Sequence, residues 1–469
     1  MTSALAACAS SRLYAADTAF KDGLWVPAPL SINQVREWER FNAAVARWQN
    51  LPGQIWTASH YLSNEMVPFC SNLSRLALAH ATFVPTEPAA PLPTPGMRTS
   101  THFMDSLHGG DLLFLGDSLS REHFLSTIRY ILSPVLSRGG DHHDLLVQHH
   151  SVDETPLVAR ECVNIARVIS DSHDKHHQLG HNASMSLQER LRTVSRSQGR
   201  PVHHGDGSRG RRLRAEDAGP KWRNPEDDGS RICLMARQDA RPVSSTTLEQ
   251  AHSAGWLDRR SVLVVNLGLH FGQVPLAKYA AEVRAFTQVA DSLPKAVRPA
   301  EIIWRETSPQ HFPTAHGLYE VPKTKRGGGG VTGAFAPIGA FASSPKASSP
   351  EKQKAQSAMQ KRLDLSVRRC APLHCDAAHD HFNAVSAPII RNASTPIRVL
   401  PIWMASTMRW AEHFETFDFR KRETVADCTH FCMPSATLDM WAAQLIERVL
   451  LLRHGARWRG VQYTKSNDH

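Results

Sequence analysis

Short apolar runs alternate with longer amphipathic stretches along the folded parts of the chain. Four short apolar runs predict buried β-strands, and the first three stop at polar or turn-forming residues. The four runs are Leu112–Leu115, Val262–Val265, Ile302–Trp304 and Ile397–Met404. Their order along the sequence predicts one sheet that is assembled from widely separated segments.

Apolar residues at helical spacing follow three of these regions. The helix near the C-terminus is preceded by Pro434 and Ser435, which are helix-start signals. Strands that alternate with helices predict an α/β fold around a parallel, doubly wound sheet, whose ligands bind beyond the carboxyl ends of the strands. The periodic positions are Phe124, Ile128, Ile131 and Leu132; then Tyr279, Val283 and Phe286; then Leu438, Trp441, Leu445 and Val449.

Two polar segments interrupt the pattern, at residues 138–231 and 323–369. The first is rich in His, Arg, Asp, Gly and Ser, and the second holds Gly327–Gly330 and Ser/Pro/Lys repeats. Such compositions bury too little apolar surface to order themselves, so both segments are predicted to be disordered insertions. The predicted organisation is a targeting or disordered segment at 1–20 and one domain built from 21–137, 232–322 and 370–469.

The net charge of +10 would suggest nucleic-acid binding if it lay on a folded surface. Residues 190–231 and 322–369 together carry more positive charge than the whole chain, so the remainder is slightly acidic. Nucleic-acid recognition needs basic and aromatic residues on folded elements. Nucleic acid is therefore not an expected partner.

The sequence contains no run of 18 apolar residues, so no transmembrane helix is predicted. Residues 1–20 lack the apolar stretch of a signal peptide, which leaves a divergent targeting peptide or a truncated start open. The eight cysteines would be thiols in the cytosol and disulfides in a secretory compartment. Sequons at Asn72, Asn182 and Asn392 favour the secretory compartment slightly.

The first apolar run ends in Gly116-Asp117-Ser118, followed by Leu119-Ser120-Arg121. Glycine permits a tight turn into the next helix, and a serine at a helix N-terminus lies near backbone N–H groups that stabilise an oxyanion. Ser118 is therefore a candidate nucleophile, and Arg121 is a candidate contact for the acyl oxygen. Ordinary helix capping by Asp117 or Ser118 explains the same residues equally well.

The second and third runs end in polar groups as well. Asn266 and Gly268 offer an amide and a backbone N–H as further oxyanion donors, although both residues are also common in turns. Arg305, Ser308 and His311 belong to a polar cluster that either lines a substrate pocket or forms a plain loop.

Asp427 precedes His430 by three residues near the C-terminus. This spacing lets a carboxylate orient the imidazole, which then acts as general base toward a serine. A structural loop with an exposed histidine is the alternative, since the chain has 26 histidines. Zinc binding is disfavoured because the nearby Cys and His residues lack the usual ligand spacing, so no metal is expected. Those residues are Cys370, Cys375, His379, His381, Cys428, His430 and Cys432.

Taken together, four motifs resemble the plant trichome birefringence-like family of polysaccharide O-acetyltransferases, in the PC-esterase group of the SGNH/GDSL superfamily. The motifs occur in the family's order and cover residues 105–135, 260–320 and 395–455. They are GDSLSR at 116–121, VVNLG at 264–268, WRETSPQHF at 304–312 and DCTHFCMP at 427–434, with Asp439 and Trp441 like the family's D-x-W.

The resemblance implies an SGNH-hydrolase-like three-layer α/β fold with a mostly parallel sheet, and a triad of Ser118, Asp427 and His430. It implies transfer of an acetyl group through a serine acyl-enzyme onto a polysaccharide hydroxyl. Acetyl-CoA or another acetyl ester would be the donor, and no bound cofactor is expected. It also implies disulfides at Cys428 and Cys432, and a Golgi location with membrane association. The implied oxyanion and acyl-binding residues are Gly116, Asp117, Arg121, Asn266 and Gly268.

Several positions depart from the family pattern. Glu122 stands where the family has Asn, Phe431 replaces Trp, and Leu269–Phe271 replaces H-W-W. Ser435 and Ala442 replace Gly and Asn. Because the triad residues are retained, activity is expected, while the acceptor stays open. A carbohydrate or lipid esterase and a non-catalytic carbohydrate-binding protein are the alternatives.

Overall fold

The computed structural model describes nineteen segments of the chain. They are residues 23–28, 30–49, 81–85, 92–107, 109–137, 150–155, 158–169, 230–236, 247–248, 251–252, 256–268, 275–295, 297–312, 370, 373, 381–407, 409–418, 423–433 and 435–454. The predicted segment at 1–20 and the insertion at 323–369 lie outside these residues.

The strands are β1 (Gly23–Pro27), β2 (Ala81–Pro85), β3 (Leu112–Gly116), β4 (His150–Thr155), β5 (Val158–Asn164), β6 (Arg231–Ala236), β7 (Val262–Val265), β8 (Glu301–Arg305), β9 (Ile397–Leu400), β10 (His413–Asp418) and β11 (Glu423–Phe431). The helices are α1 (Ile32–Gln49), α2 (Met97–Leu107), α3 (Ser118–Ser137), α4 (Leu276–Ser292), α5 (His381–Arg391), α6 (Trp403–Ser406) and α7 (Ala436–His454).

A seven-stranded sheet in the order β4-β5-β6-β3-β7-β8-β9 forms the centre of the fold. The five strands from β6 to β9 are parallel, and β5 runs antiparallel to both of its neighbours. The four predicted strands are confirmed as β3, β7, β8 and β9, which lie side by side. The fourth was predicted too long, because the chain turns after Leu400 at Pro401 and enters α6.

Both faces of the sheet are covered by helices, as the predicted α/β fold requires. In β3, Leu112 and Phe114 pack on the side of α3 and α7, whereas Leu113 and Leu115 pack on the side of α4. This alternation follows from the pleat of a strand, which points successive side chains to opposite faces. The predicted periodic positions are confirmed within α3, α4 and α7.

The prediction of disorder throughout 138–231 was wrong for part of that segment. His150–Thr155 and Val158–Asn164 are strands β4 and β5, although their composition is polar. Their order comes from outside the segment, because β5 pairs with β6 and the buried Cys162–Cys233 disulfide joins these two strands. Composition alone does not predict these strands, because it contains no information on hydrogen bonds between strands or on the disulfide.

Two short antiparallel pairs flank the sheet, namely β1–β2 and β10–β11. The second pair carries the C-terminal motif to the edge of the sheet where β3, β7 and β8 end. Among the described helices, none combines the length and the hydropathy needed to cross a membrane.

Candidate active site

The turn from β3 into α3 places Ser118 at the first position of a twenty-residue helix. Gly116 is required here, because a Cβ atom would lie 2.2 Å from Ser120 Oγ and 2.8 Å from the Asn266 carbonyl oxygen. Asp117 caps the helix, and its Oδ1 accepts hydrogen bonds from the N–H groups of Leu119 at 3.0 Å and Ser120 at 3.3 Å. Asp117 therefore caps the helix, while the adjacent Ser118 occupies the position of a candidate nucleophile.

Ser118 Oγ lies 2.7 Å from His430 Nε2, although 312 positions separate the two residues. The serine is 8% exposed and His430 is partly exposed, so the pair lies at the boundary of the buried core. When the hydroxyl donates to Nε2, that nitrogen is unprotonated and the proton of the neutral imidazole is on Nδ1. This is the arrangement that a general base needs.

His430 lies in a bulge of β11. The ladder pairs His413 with Phe431 and then passes directly from Phe414 to Asp427. Residues 428–430 therefore have no ladder partners in β10. Bulges interrupt pairing and redirect side chains, and they are common beside active sites. Here the bulge presents the imidazole to the N-terminus of α3.

The bulge is fixed by the loop that follows β8. The backbone N–H of His311 donates to the Cys428 carbonyl at 2.9 Å, and Gln310 Nε2 donates to Thr429 Oγ1 at 2.8 Å. Cys428 also forms a buried disulfide with Cys370. The loop with the third sequence motif therefore contacts the bulge with the fourth. Cys428 and Thr429, the first two residues of the bulge, are each held by a separate hydrogen bond.

The peptide group between His430 and Phe431 is held on both sides. His413 Nδ1 lies 2.8 Å from the His430 carbonyl oxygen, and the N–H of Phe431 donates to Glu122 Oε2 at 3.3 Å. Glu122 and Ser118 are four residues apart on α3, so they share one face of that helix. The nucleophile and the peptide group that carries the base are consequently both held by the N-terminal end of α3.

Asp427 occupies the position in β11 opposite Phe414. Its backbone is three residues before His430, as the sequence motif requires, while its side chain lies outside the described part of the structure. Its predicted role in orienting the imidazole stays a prediction.

The predicted oxyanion donors come from two adjacent strand ends. Asp117 occupies the N–H groups of Leu119 and Ser120, whereas within the described structure the Ser118 N–H has no protein acceptor. The parallel register pairs Leu115 with Val265, and the N–H of Asn266 donates to the Leu115 carbonyl at 3.1 Å, so the chain that leads to Gly268 leaves β7 beside the end of β3. A Cβ atom on Gly268 would lie 2.1 Å from Thr307 Oγ1, which explains the glycine by close packing.

Asn266 is fully buried beside these donors. One N–H of its amide donates to the Arg305 carbonyl oxygen at 3.0 Å, which leaves a single amide hydrogen for an oxyanion. The bond fixes the plane of the amide group. Since the described residues supply no donor to Asn266 Oδ1, the amide dipole is oriented by this one contact.

Arg305 and Arg121 lie inside the protein. Arg305 is fully buried, donates to the Leu119 carbonyl oxygen at 3.3 Å, and lies 3.9 Å from Asp117 Oδ1 with its guanidinium over the Trp441 ring. Burial lowers its pKa to about 10, partly opposed by Asp117 and Glu122. Arg121 Nε lies 3.3 Å from Glu161 on β5. Arg305 thus contacts the first turn of α3, whereas Arg121 links this helix to β5.

His311 and Ser308 are also buried in the loop after β8. His311 contacts His413 and the Thr407 carbonyl oxygen, whereas the Ser308 hydroxyl has no hydrogen-bond partner in the described structure. Of the candidate substrate contacts Arg305, Ser308 and His311, Arg305 and His311 are therefore committed to internal contacts. Because Arg305 and His311 are buried, they are better placed to position other residues of the site than to contact a polymer.

The sequence interpretation missed four residues that the structure places around His430 and the loop after β8: Glu122, Gln310, His413 and Asn383. Asn383 brackets Thr307, accepting from its N–H at 2.8 Å and donating to its carbonyl at 3.0 Å. Glu122 was detectable by its helical spacing from Ser118. No sequence signal marked His413 or Asn383, since only tertiary folding brings them to the site.

Cys428 and Cys432 are both disulfide-bonded, the first to Cys370 and the second to a residue outside the described structure. Bonded cysteines are not thiolate ligands, which removes them from the zinc alternative. In comparisons with known proteins, no family model and no curated protein matches this chain.

Proposed function

We propose that this protein is a serine acyltransferase that moves an acetyl group from an activated donor onto a polysaccharide hydroxyl. The 2.7 Å contact between Ser118 Oγ and His430 Nε2, at the N-terminus of α3, is the observation that carries the proposal. A bare helix cap would not need a bulge that delivers an imidazole to the serine. Such a pair, beside the Ser118 N–H that has no acceptor among the described residues, supports nucleophilic acyl transfer.

In the proposed reaction, His430 takes the proton of Ser118 as Oγ attacks the carbonyl carbon of an acetyl ester or thioester. The negative charge on the carbonyl oxygen is stabilised by the Ser118 N–H, with Gly268 and Asn266 as further donors. His430 then protonates the leaving alcohol or thiol as the tetrahedral intermediate collapses. An acceptor hydroxyl, deprotonated by His430, attacks the acetyl-serine and regenerates the free enzyme.

The polysaccharide acceptor and the acetyl donor rest on the motif resemblance. Water in place of a sugar hydroxyl would make the same site an esterase, because both reactions proceed through the same acyl-serine. The identity of the acceptor therefore determines which of the two reactions the site performs.

We further infer an oxidising compartment, in keeping with a Golgi location. Cys162–Cys233 and Cys370–Cys428 are disulfides, and Cys432 is disulfide-bonded as well. Disulfides persist in secretory compartments and are rare in the cytosol. Asn392, in a glycosylation sequon, is exposed just after α5.

The test is a partition assay with a donor that carries a labelled acetyl group. Polysaccharides and plain buffer are offered in parallel, and label is measured in the polymer and in free acetate. Transfer into polymer by wild type but not by Ser118→Ala supports the proposal. Ser137→Ala, which removes an exposed hydroxyl at the far end of α3, should behave as wild type. Label in acetate alone indicates an esterase, and no turnover by folded wild type contradicts acyl transfer.

A further inference from the structure

A pair of buried histidines lies directly behind the candidate base. His311 Nδ1 is hydrogen-bonded to His413 Nε2, and the pair is bounded at each end by a backbone carbonyl oxygen. His311 Nε2 lies 2.9 Å from the Thr407 oxygen, and His413 Nδ1 lies 2.8 Å from the His430 oxygen. The two rings therefore form a chain of three contacts that ends on the backbone carbonyl of His430.

Counting protons along this chain gives a definite charge. A carbonyl oxygen only accepts, so His311 Nε2 and His413 Nδ1 must both be protonated. The contact between the two rings needs a third proton, whichever nitrogen donates it. Two neutral imidazoles hold only two ring protons, so all three hydrogen bonds form only if the pair carries one extra proton.

We propose that His311 and His413 are a proton-sharing imidazole–imidazolium pair that positions His430 by donating a hydrogen bond to its backbone carbonyl. Both residues act through His430 and are positioning residues. The charge state follows from the contacts alone, and only the kinetic consequence rests on the proposed acyltransferase function.

The surroundings assign the extra proton to His413. Burial lowers the pKa of His311 to about 4, so this ring is the neutral partner at neutral pH. The Phe431 ring stacks on His413 with centroids 4.3 Å apart and planes 24° apart, and an aromatic face attracts a cation at this distance. His311 meets the same ring by its edge.

Other ionisable groups near the pair are already engaged. Glu412 precedes His413, accepts from Thr437 at 2.7 Å and 2.9 Å, and contacts Arg409. Glu122 reaches the Phe431 N–H from α3, and His430 faces Ser118. Each of these two carboxylates therefore has a partner outside the histidine pair.

Deprotonation of the pair would leave one of its three contacts with no hydrogen. At high pH the donor to the His430 carbonyl, or the link between the rings, is then lost, and the bulge relaxes away from Ser118. Activity should consequently fall on the alkaline side as the pair loses its proton. On the acid side, activity should fall as His430 itself becomes protonated.

The charge state is tested by NMR of the full chain labelled with ¹⁵N in its histidines. At neutral pH we expect one histidine with both ring nitrogens protonated, lost in His413→Asn, and a neutral His311 with its proton on Nε2. Two neutral rings at these positions would overturn the proposal. This measurement is independent of any enzymatic activity.

The positioning role is tested by the rate at which a fluorophosphonate probe labels Ser118 as a function of pH. Asparagine at 413 keeps an N–H donor near the position of Nδ1 and cannot titrate, so His413→Asn should retain labelling and lose the alkaline decline. His413→Phe removes the donor and should slow labelling about 100-fold at every pH, the cost of misplacing a reacting group by about 1 Å. An unchanged alkaline decline in His413→Asn would refute the positioning role.

His252→Asn is the matched control. Nδ1 of this exposed histidine also lies against a carbonyl, that of Leu257 at 2.8 Å, but near the start of β7 rather than its end. It should change neither the rate nor the pH profile. If Ser118 of wild type is not labelled while the NMR shows the imidazolium, the acyltransferase proposal fails and the histidine pair stands.

Discussion

The Glu122 carboxylate accepts a hydrogen bond from the backbone N–H of Phe431 at 3.3 Å, directly after the candidate base. This contact joins α3, which begins with the nucleophile, to the bulge that holds His430. Glutamate stands here where the resembled family has Asn. In the structure, Glu122 links α3 to β11, which are far apart in the sequence.

Replacing Glu122 by alanine should therefore slow acylation of Ser118. The change leaves the buried Phe431 N–H without its acceptor, which costs about 1–3 kcal/mol. Glu122→Gln keeps an acceptor oxygen and should lose less in both acylation rate and stability. Urea unfolding and the probe-labelling rate measure the two effects. Equal loss in both variants would show that charge, rather than hydrogen bonding, matters at this position.

Gly268→Ala should destabilise the site through overpacking. The new Cβ would lie 2.1 Å from Thr307 Oγ1 and 2.8 Å from its Cγ2, and inserting a methyl group into a packed interior costs about 1–3 kcal/mol. Thr307→Ala removes both atoms, so the double variant should recover part of the loss in a double-mutant cycle. Gly96→Ala is the control, because a Cβ atom there meets nothing within 4 Å. Additive losses in the double variant would exclude the clash.

The two described disulfides should have separable effects. Cys162–Cys233 lies between strands β5 and β6, and Cys370–Cys428 anchors the bulge two residues before His430. Removing either bond by a double Cys→Ala change should cost about 2–5 kcal/mol of stability. Only the Cys370/Cys428 variant should also slow labelling of Ser118 while folded. Equal labelling rates in the two folded variants would contradict the anchoring role.

Stability should fall as the pH drops below about 6.5. Burial, with Arg305 nearby, holds the pKa of His123 well below its ordinary value, and burial lowers the pKa of His311 to about 4. On acidification the unfolded chain takes up these protons first. The contribution of each residue is therefore complete above 6.5 and shrinks, by up to about 1.4 kcal/mol per pH unit, toward its folded pKa.

His123→Phe tests this origin of the acid sensitivity. The ring makes edge contacts with Phe114 and Trp441, which an aromatic replacement can keep without a titrating group. Denaturant unfolding between neutral and mildly acidic pH should show a shallower loss in this variant than in wild type. His252→Phe, at an exposed position, should leave the slope unchanged. A wild-type slope in His123→Phe would assign the sensitivity to other groups.

The sequence predicted the parts of the fold that have strong periodicity. Leu112–Leu115 and Val262–Val265 are buried on both faces and read as strands, and Phe124 and Ile128 mark α3 by their helical spacing. Strands β4 and β5 escaped prediction because these polar strands are ordered by the strands beside them and, in β5, by a disulfide. Neither contribution leaves a local pattern.

The candidate site was predictable at its chemical centre and not around it. Ser118 and His430 were identified by motif, and the structure brings their side chains together. The support from His413 and Asn383 depends on a three-residue bulge and on contacts between distant segments. Arg305 and His311 were expected near a substrate, yet burial gives them internal partners, since residue type alone does not distinguish a ligand contact from a support.

The most direct test of the central claim is the intact mass of the protein after brief incubation with 4-nitrophenyl acetate and rapid acid quenching. We predict that wild type and Ser137→Ala gain one acetyl group, which peptide mapping locates on Ser118, and that Ser118→Ala gains none. His430→Ala should acylate far more slowly than wild type. An acetyl group that persists in Ser118→Ala, or folded wild type with no adduct on Ser118, would contradict the assignment of Ser118 as nucleophile.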